Sequence, residues 1–263
     1  MSARLALAAL LALADAQARA QARPDPFPRA AAAYLVLADG VPLWGRAAEA
    51  PRAPASLVKL MSALVVLDDG GLDADVTVSA EAAAARGARL GLRRGERWPA
   101  HALLAAMLVG SANDACTALV ERGGGAAAFV ARMNGSAAKL KLRGTHFADP
   151  CGFDAAGQHS TARDLARLAL AAMAHPQIAA LVGRVEIEVA SRGRERVLQV
   201  RNTNVLLEHF PGVVGVKTGQ TRRAGLNLIA LAERDGRRVL LVMLGARERW
   251  WEAHAILARA LDR

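Results

Sequence analysis

Strand-like segments occupy both ends of this sequence and helical ones its middle, so a sheet can be completed only by bringing the two ends together. After a Pro-rich lead at Arg23–Arg29, Ala31–Ala38 and Val41–Gly45 flank Asp39-Gly40 and predict a β-hairpin, since Asp-Gly accepts the dihedrals of a two-residue turn. Near the other end Gly212–Lys217, Leu226–Ala232 and Arg238–Leu244 read as consecutive strands, the last two joined at Asp235-Gly236, before a closing helix at Trp250–Leu261. Between them Ser56–Leu67 is apolar on every side and predicts a buried helix, stopped by Asp68-Asp69-Gly70-Gly71. Pro99 opens a helix through Val109, Gly125–Leu142 reads as another, and Ser160-Thr161 caps a third through Ala174 with Asp164 in its first turn. Val185–Ala190 and Arg196–Val200 predict a small hairpin. The expected fold class is α+β: one antiparallel sheet completed by both termini, with helices packed on it. With 263 residues, 53% of them hydrophobic and 22% charged, the chain can bury a sizeable core, which excludes disorder and repetitive fibrous structure.

The N-terminus bears on the compartment. One charge in Met1–Arg4, ten apolar residues at Leu5–Ala14 and small-x-small sites up to Ala20-Gln21-Ala22 make a secretory signal at 1–22, too short to span a bilayer stably. No later apolar run approaches eighteen residues, so the expectation is an exported, soluble protein, periplasmic or extracellular, with no membrane anchor. Lys and Arg number 34 against 24 Asp and Glu, a net charge of +10 that attracts anionic partners of any kind, cell-wall polymers included. Only four of these are lysines, at 59, 139, 141 and 217. Cys116 and Cys151 permit one disulfide or two separate buried thiols, and neither has metal-ligand spacing, so no metal or other cofactor is expected.

Three short motifs carry the chemistry. In Ser56-Leu57-Val58-Lys59 a helical spacing of i and i+3 lets the amine reach the hydroxyl, and a buried lysine of lowered pKa can accept its proton. The same spacing recurs at Ser136-Ala137-Ala138-Lys139, which sits in an amphipathic segment and reads as a solvated face. Ser111-Ala112-Asn113 follows a helix and a Gly110 break, so a hydroxyl and an amide can point from a turn into a cleft. Lys217-Thr218-Gly219 ends an apolar strand, where a sheet edge, a cation and a glycine allow close approach of an extended chain. Ser-x-x-Lys, Ser-x-Asn and Lys-Thr-Gly in this order are the set of penicilloyl serine transferases.

The sequence resembles the serine D-alanyl-D-alanine carboxypeptidase family of low-molecular-mass penicillin-binding proteins. The likeness extends to Pro54–Met61, Ser111–Cys116, Thr145–Gly152, Ser160–Asp164, Asn202-Thr203-Asn204 and Gly215–Thr221, and covers roughly residues 30–263, the expected peptidase domain. It implies the serine β-lactamase and penicillin-binding transpeptidase-like fold, with a five-stranded antiparallel sheet and a helical lobe. By the same resemblance Ser56 is the acylated nucleophile, Lys59 its general base and Ser111 a proton relay. Asn113 holds the substrate backbone, Lys217 anchors it electrostatically, and Thr218 bonds the terminal carboxylate. Gly219 lies along the substrate, the N–H groups of Ser56 and Gln220 form the oxyanion hole, and Arg249 stands near the carboxylate. Peptidoglycan stem peptides are the implied substrates and β-lactams the implied covalent inhibitors; nucleic acid is not an expected partner, and oligomeric state is left open.

Ala112 and Gln220 depart from the family's commoner Gly and His or Tyr. The chain stops at Arg263, right after the closing helix, and in this resembles single-domain members without an anchor, some of which cleave cross-links. Three other readings therefore stand beside the carboxypeptidase: a D,D-endopeptidase at the same site, a β-lactamase, and a non-catalytic wall-binding protein. Against the second, no Glu-x-x-Leu-Asn element lies between Ser111 and Lys217; against the third, a binder does not need the Ser–Lys pair.

Overall fold

The computed structural model describes residues 25–262; the expected export signal at 1–22 lies outside the described residues. The chain begins with β1 (Ala31–Ala38), β2 (Val41–Arg46), α1 (Lys59–Asp69), β3 (Asp75–Thr77), α2 (Ala80–Ala83) and β4 (Arg97–Pro99). It continues through α3 (Ala100–Val109), α4 (Asn113–Arg122), α5 (Ala126–Lys139), α6 (Ala162–Met173) and α7 (Pro176–Val182). Then come β5 (Glu186–Ala190), β6 (Val197–Arg201), α8 (Leu206–His209), β7 (Val213–Thr221), β8 (Gly225–Arg234), β9 (Arg237–Ala246) and α9 (Arg249–Leu261).

The two ends meet as the strand pattern requires. The sheet has five antiparallel strands in the order β2-β1-β9-β8-β7, with Leu35 opposite Val242 and Leu231 opposite Leu240. Asp39 and Gly40 close the first hairpin at φ 51° and 82°, the left-handed region such a turn needs. Alternate residues of the central strands enter two cores. Ala33, Leu35, Leu37, Ile229, Leu231, Leu240 and Val242 face the helical lobe, while Val36, Leu228, Ala230, Leu241 and Met243 face α9. Burial on both faces is why these strands read as continuous apolar runs. Helix α9 supplies Ala253, Ile256, Leu257, Ala260 and Leu261 at helical spacing. Each fully buried Leu, Ile or Val contributes about 1.5–3 kcal/mol to folding.

In the helical lobe α1 is buried on every side from Lys59 to Val66, as its composition predicts. The Thr161 hydroxyl accepts from the Asp164 N–H at 3.0 Å and caps α6. Two differences from the sequence expectation and one open alternative bear on the site. Ser56 lies in a 3-10 turn, Ala55–Val58, rather than in the α-helix that follows. Asn113, expected in a turn, is the first residue of α4, which the sequence reading lacks. The two cysteines are joined, with Cα atoms 5.8 Å apart, which settles the open alternative in favour of a disulfide.

Candidate active site

The 3-10 turn at Ala55–Val58 presents Ser56 beside the edge of the sheet. Among the described residues strand β7 pairs only with β8, so Lys217, Thr218 and Gly219 lie on an edge strand opposite Ile229, Leu228 and Asn227. A Cβ placed on Gly219 would stand 3.1 Å from the Ser56 nitrogen, and one on Gly152 2.7 Å from it. Two glycines thus let two backbones close on the turn. Asn227 fixes its entry: buried, it donates through Nδ2 to the Ala53 carbonyl at 3.0 Å and accepts from the Gly245 N–H at 2.8 Å. Ala55 and Ser111 adopt left-handed φ of 50° and 59° without being glycine. Such conformations cost roughly 1–3 kcal/mol each and persist where the surroundings overdetermine them.

Lys59, one turn beyond Ser56, is fully buried, and its Nζ is ringed by oxygen. It donates to Ser56 Oγ at 3.2 Å, to Asn113 Oδ1 at 2.8 Å and to the carbonyl of Cys151. Burial pushes its pKa down to about 7, against the opposing pull of the Asp149 carboxylate, so near neutrality about half of the amine carries a lone pair. Lys217 is equally buried and donates to the Thr218 carbonyl at 3.1 Å. Burial, then the charges of Lys59 and Arg249, push its pKa well below that of a free lysine. An incoming anion would restore the proton to such an amine.

Asn113 is held from both sides. Its N–H donates to the Ala88 carbonyl at 2.8 Å and its Nδ2 to the Arg86 carbonyl at 2.5 Å. The next residue, buried Asp114, accepts the N–H groups of Leu90, Gly91 and Leu92 and so fixes the loop that supplies those carbonyls. On the opposite wall Asp149 Oδ1 accepts from Cys151, Gly152 and Phe153 at 2.9, 2.6 and 2.8 Å, shaping the segment that passes over the turn at Ser56. Thr218 shares a 2.6 Å hydrogen bond with Thr203. Arg249 donates to the Gly219 and Asn227 carbonyls at 3.3 and 3.1 Å and lies 4.2 Å from the centre of the Trp250 ring. Its Nε is buried without a partner among the described residues, and burial lowers its pKa.

These groups enclose a cleft of about 300 Å³ lined by Ser56, Ser111, Asn113, Thr218, Gly219, Gln220 and Arg249, with Lys59 and Lys217 buried behind the lining. All nine residues expected from the sequence therefore converge on one place. Ser136 and Lys139, on the last turn of α5, line no part of it. A larger groove of about 650 Å³ between α3, α7 and the β5–β6 hairpin shares none of the nine. Sequence reasoning assigned no role to Thr203, Gly152, Phe153, Asp149 or Asn227. Thr203, Asp149 and Gly152 sit in segments that carry the family likeness, but only the chain path shows what they touch. Among the described residues no cluster of three His, Cys, Asp or Glu could hold a metal ion, and no single helix is long and apolar enough to cross a membrane.

Chemically, a hydroxyl within reach of a partly neutral amine is a nucleophile with its base. The surrounding donors and cations suit a substrate that develops an oxyanion and carries a carboxylate. Comparison with known proteins identifies the family. The sequence profile of the D-alanyl-D-alanine carboxypeptidase family matches residues 22–248. The chain is 34% identical over 222 residues to D-alanyl-D-alanine carboxypeptidase DacB2 of Mycobacterium tuberculosis, covering 82% of this chain and 76% of that protein. With DacD of Escherichia coli identity is 38% over 208 residues, 74% of this chain but 52% of the relative, so this chain spans about half of that longer protein. A solved D-alanyl-D-alanine carboxypeptidase from Mycobacterium tuberculosis superposes with a TM-score of 0.85 at 31% identity, over 93% of this chain and 95% of that one. A Streptomyces DD-transpeptidase gives 0.85 at 28% identity, over 92% and 100%.

Proposed function

The chain belongs to the D-alanyl-D-alanine carboxypeptidase family, and from that premise we propose that it removes the terminal D-alanine of peptidoglycan stem peptides through an acyl-enzyme on Ser56. The observation that carries this reading is the buried Lys59 Nζ, its pKa about 7, at 3.2 Å from Ser56 Oγ. Ser56 Oγ attacks the carbonyl of the penultimate residue while its proton passes to the neutral amine of Lys59. The oxygen that becomes negative is held by the N–H groups of Ser56 and Gln220. The departing amine of D-alanine takes a proton relayed by Ser111, and an ester remains on Ser56. Water then attacks the ester, releasing the shortened peptide and regenerating the hydroxyl. Asn113 and the edge of β7 hold the peptide backbone, and Thr218, Lys217 and Arg249 receive its terminal carboxylate.

In this reading residues 1–22 export the chain, residues 30–263 are the peptidase domain, and the enzyme works on the wall side of the membrane, where its positive charge suits anionic polymer. The decisive experiment incubates the protein with monomeric pentapeptide muropeptides and with cross-linked ones, followed by mass spectrometry. Release of D-alanine from the monomer by the wild type and not by Ser56→Ala is the expected result. Turnover of the cross-linked material alone would make the protein an endopeptidase, and turnover of neither would overturn the reading.

A further inference from the structure

Lys59 makes its two closest contacts with oxygens from segments far apart in sequence: Asn113 Oδ1 at the start of α4, and the Cys151 carbonyl in the segment over the catalytic turn. The disulfide joins these segments. Cys116 is one helical turn beyond Asn113, and Cys151 carries the carbonyl itself. A neutral amine keeps two hydrogens and one lone pair. With the hydrogens engaged by those two oxygens, tetrahedral geometry leaves the lone pair for the third neighbour, Ser56 Oγ at 3.2 Å. We infer that the Cys116–Cys151 disulfide is a positioning element for the reaction, clamping together the two oxygens that aim the Lys59 amine at Ser56.

The remaining ties of that segment would not replace the clamp. Ser62 Oγ, on α1, donates to the Pro150 carbonyl at 2.5 Å, Gln158 bonds the Ala148 and Asp149 N–H groups and the Phe153 carbonyl, and the three N–H bonds to Asp149 lie within the segment itself. None of these reaches α4; the one further contact from α4 among the described residues, Cys116 Sγ at 3.6 Å from the Pro150 carbonyl, is held by the disulfide itself and is absent from the Ala pair. Once the bond opens, the Cys151 carbonyl and Asn113 can separate, water can reach Lys59, and the amine regains its preference for the proton. Of the charged groups nearby, Lys217 on β7, Asp114 on α4 and Arg249 on α9 keep their places; Asp149 travels with the segment, but burial is the larger cause of the lowered pKa, so entry of water decides the direction.

This inference rests on Ser56 being acylated with Lys59 as base, and the test separates the two. Acylation by a fluorescent penicillin is measured from pH 6 to 10 for three samples: the oxidised protein, Cys116→Ala/Cys151→Ala, and the native chain treated with a dithiol. The dithiol supplies two electrons and two protons, so the S–S bond becomes two thiols while the reductant closes to a cyclic disulfide. The Ala pair carries no thiol to titrate. If the oxidised protein is not acylated at Ser56, the functional reading itself fails. If it is, both opened forms should still react at Ser56, with the pH midpoint raised from about 7 by at least one unit. The rate at pH 7 should then fall about fivefold and recover toward pH 10. An unchanged midpoint alongside a lower Tm would overturn the inference and leave the bond a purely structural tie. Loss of the fold in both opened forms would overturn it as well.

Discussion

Replacing Lys59 by Met should change stability in a way that depends on pH, and the size follows from where the amine sits. Lys59 is fully buried with a pKa of about 7, against 10.5 for a free lysine. The folded state therefore binds fewer protons than the unfolded state between those values. Stability of the native chain should rise with pH from about 7 toward 10.5 and be unaffected by this group below 7. At 1.36 kcal/mol per pKa unit, keeping the amine in place costs about 5 kcal/mol at acid pH, and about 3 kcal/mol of that is relieved between pH 6 and 9. Lys59→Met removes the titration. It also leaves Asn113 Oδ1 and the Cys151 carbonyl without their donor, a loss that does not vary with pH. The difference in unfolding free energy, native minus variant, should therefore climb by about 3 kcal/mol over that range, about 6 °C in Tm for a chain of this size. Lys217 titrates in both proteins, and because the charge of Lys59 lowers its pKa, its contribution has the same sign. Urea unfolding at pH 6, 7, 8 and 9, read by tryptophan fluorescence, measures the difference. A difference flat to within about 0.5 kcal/mol would refute the placement of a neutral-prone amine beside Ser56.

Asp149→Asn removes the charge that favours protonated Lys59 but keeps an oxygen for the three N–H groups. The acid limb of the acylation profile should move below its midpoint of about 7, as a rate series against pH will show. Gly152→Ala would set a Cβ 2.5 Å from the Ala55 carbonyl at a φ of 93°, displacing the catalytic turn. Acylation should drop about a hundredfold. The control Gly157→Ala, at a similar left-handed φ of 78° but with its nearest neighbour 3.9 Å away, isolates the clash and should keep its rate in the same stopped-flow assay. Arg249→Gln should raise KM for stem peptides about tenfold with little change in kcat, because a carboxylate loses a charged donor in a partly buried place. Steady-state kinetics with a synthetic pentapeptide would expose the opposite split.

Much of this arrangement is legible in the sequence because local rules agree with the fold. Asp39-Gly40 and Asp235-Gly236 mark hairpins, the apolar run after Ser56 can only be a buried helix, and three motifs in fixed order locate the cleft. The legible part stops where the chain must be closed in space. The Cys116–Cys151 bond depends on how the segment at Asp149–Phe153 crosses α1, and two cysteines in a sequence do not report their separation. Asn113 read as a turn residue because Ser-x-Asn is common in turns; its place at the start of α4 depends on the carbonyls of Arg86 and Ala88, twenty-odd residues earlier. Asn227, within the otherwise apolar stretch Leu226–Ala232, carries no local sign that it ties β8 to the approach to Ser56. The β3–β4 pair is only three residues long on each side, too short for any alternation to register.

The central claim is that the hydroxyl of residue 56 is the group made reactive by this site. Intact-mass analysis after benzylpenicillin treatment, followed by peptide mapping, tests it without any assumption about the natural substrate. One adduct per chain, located on Ser56 and absent from Ser56→Ala, is the predicted result. An unmodified protein, or an adduct on Ser111 or Ser136, would contradict it.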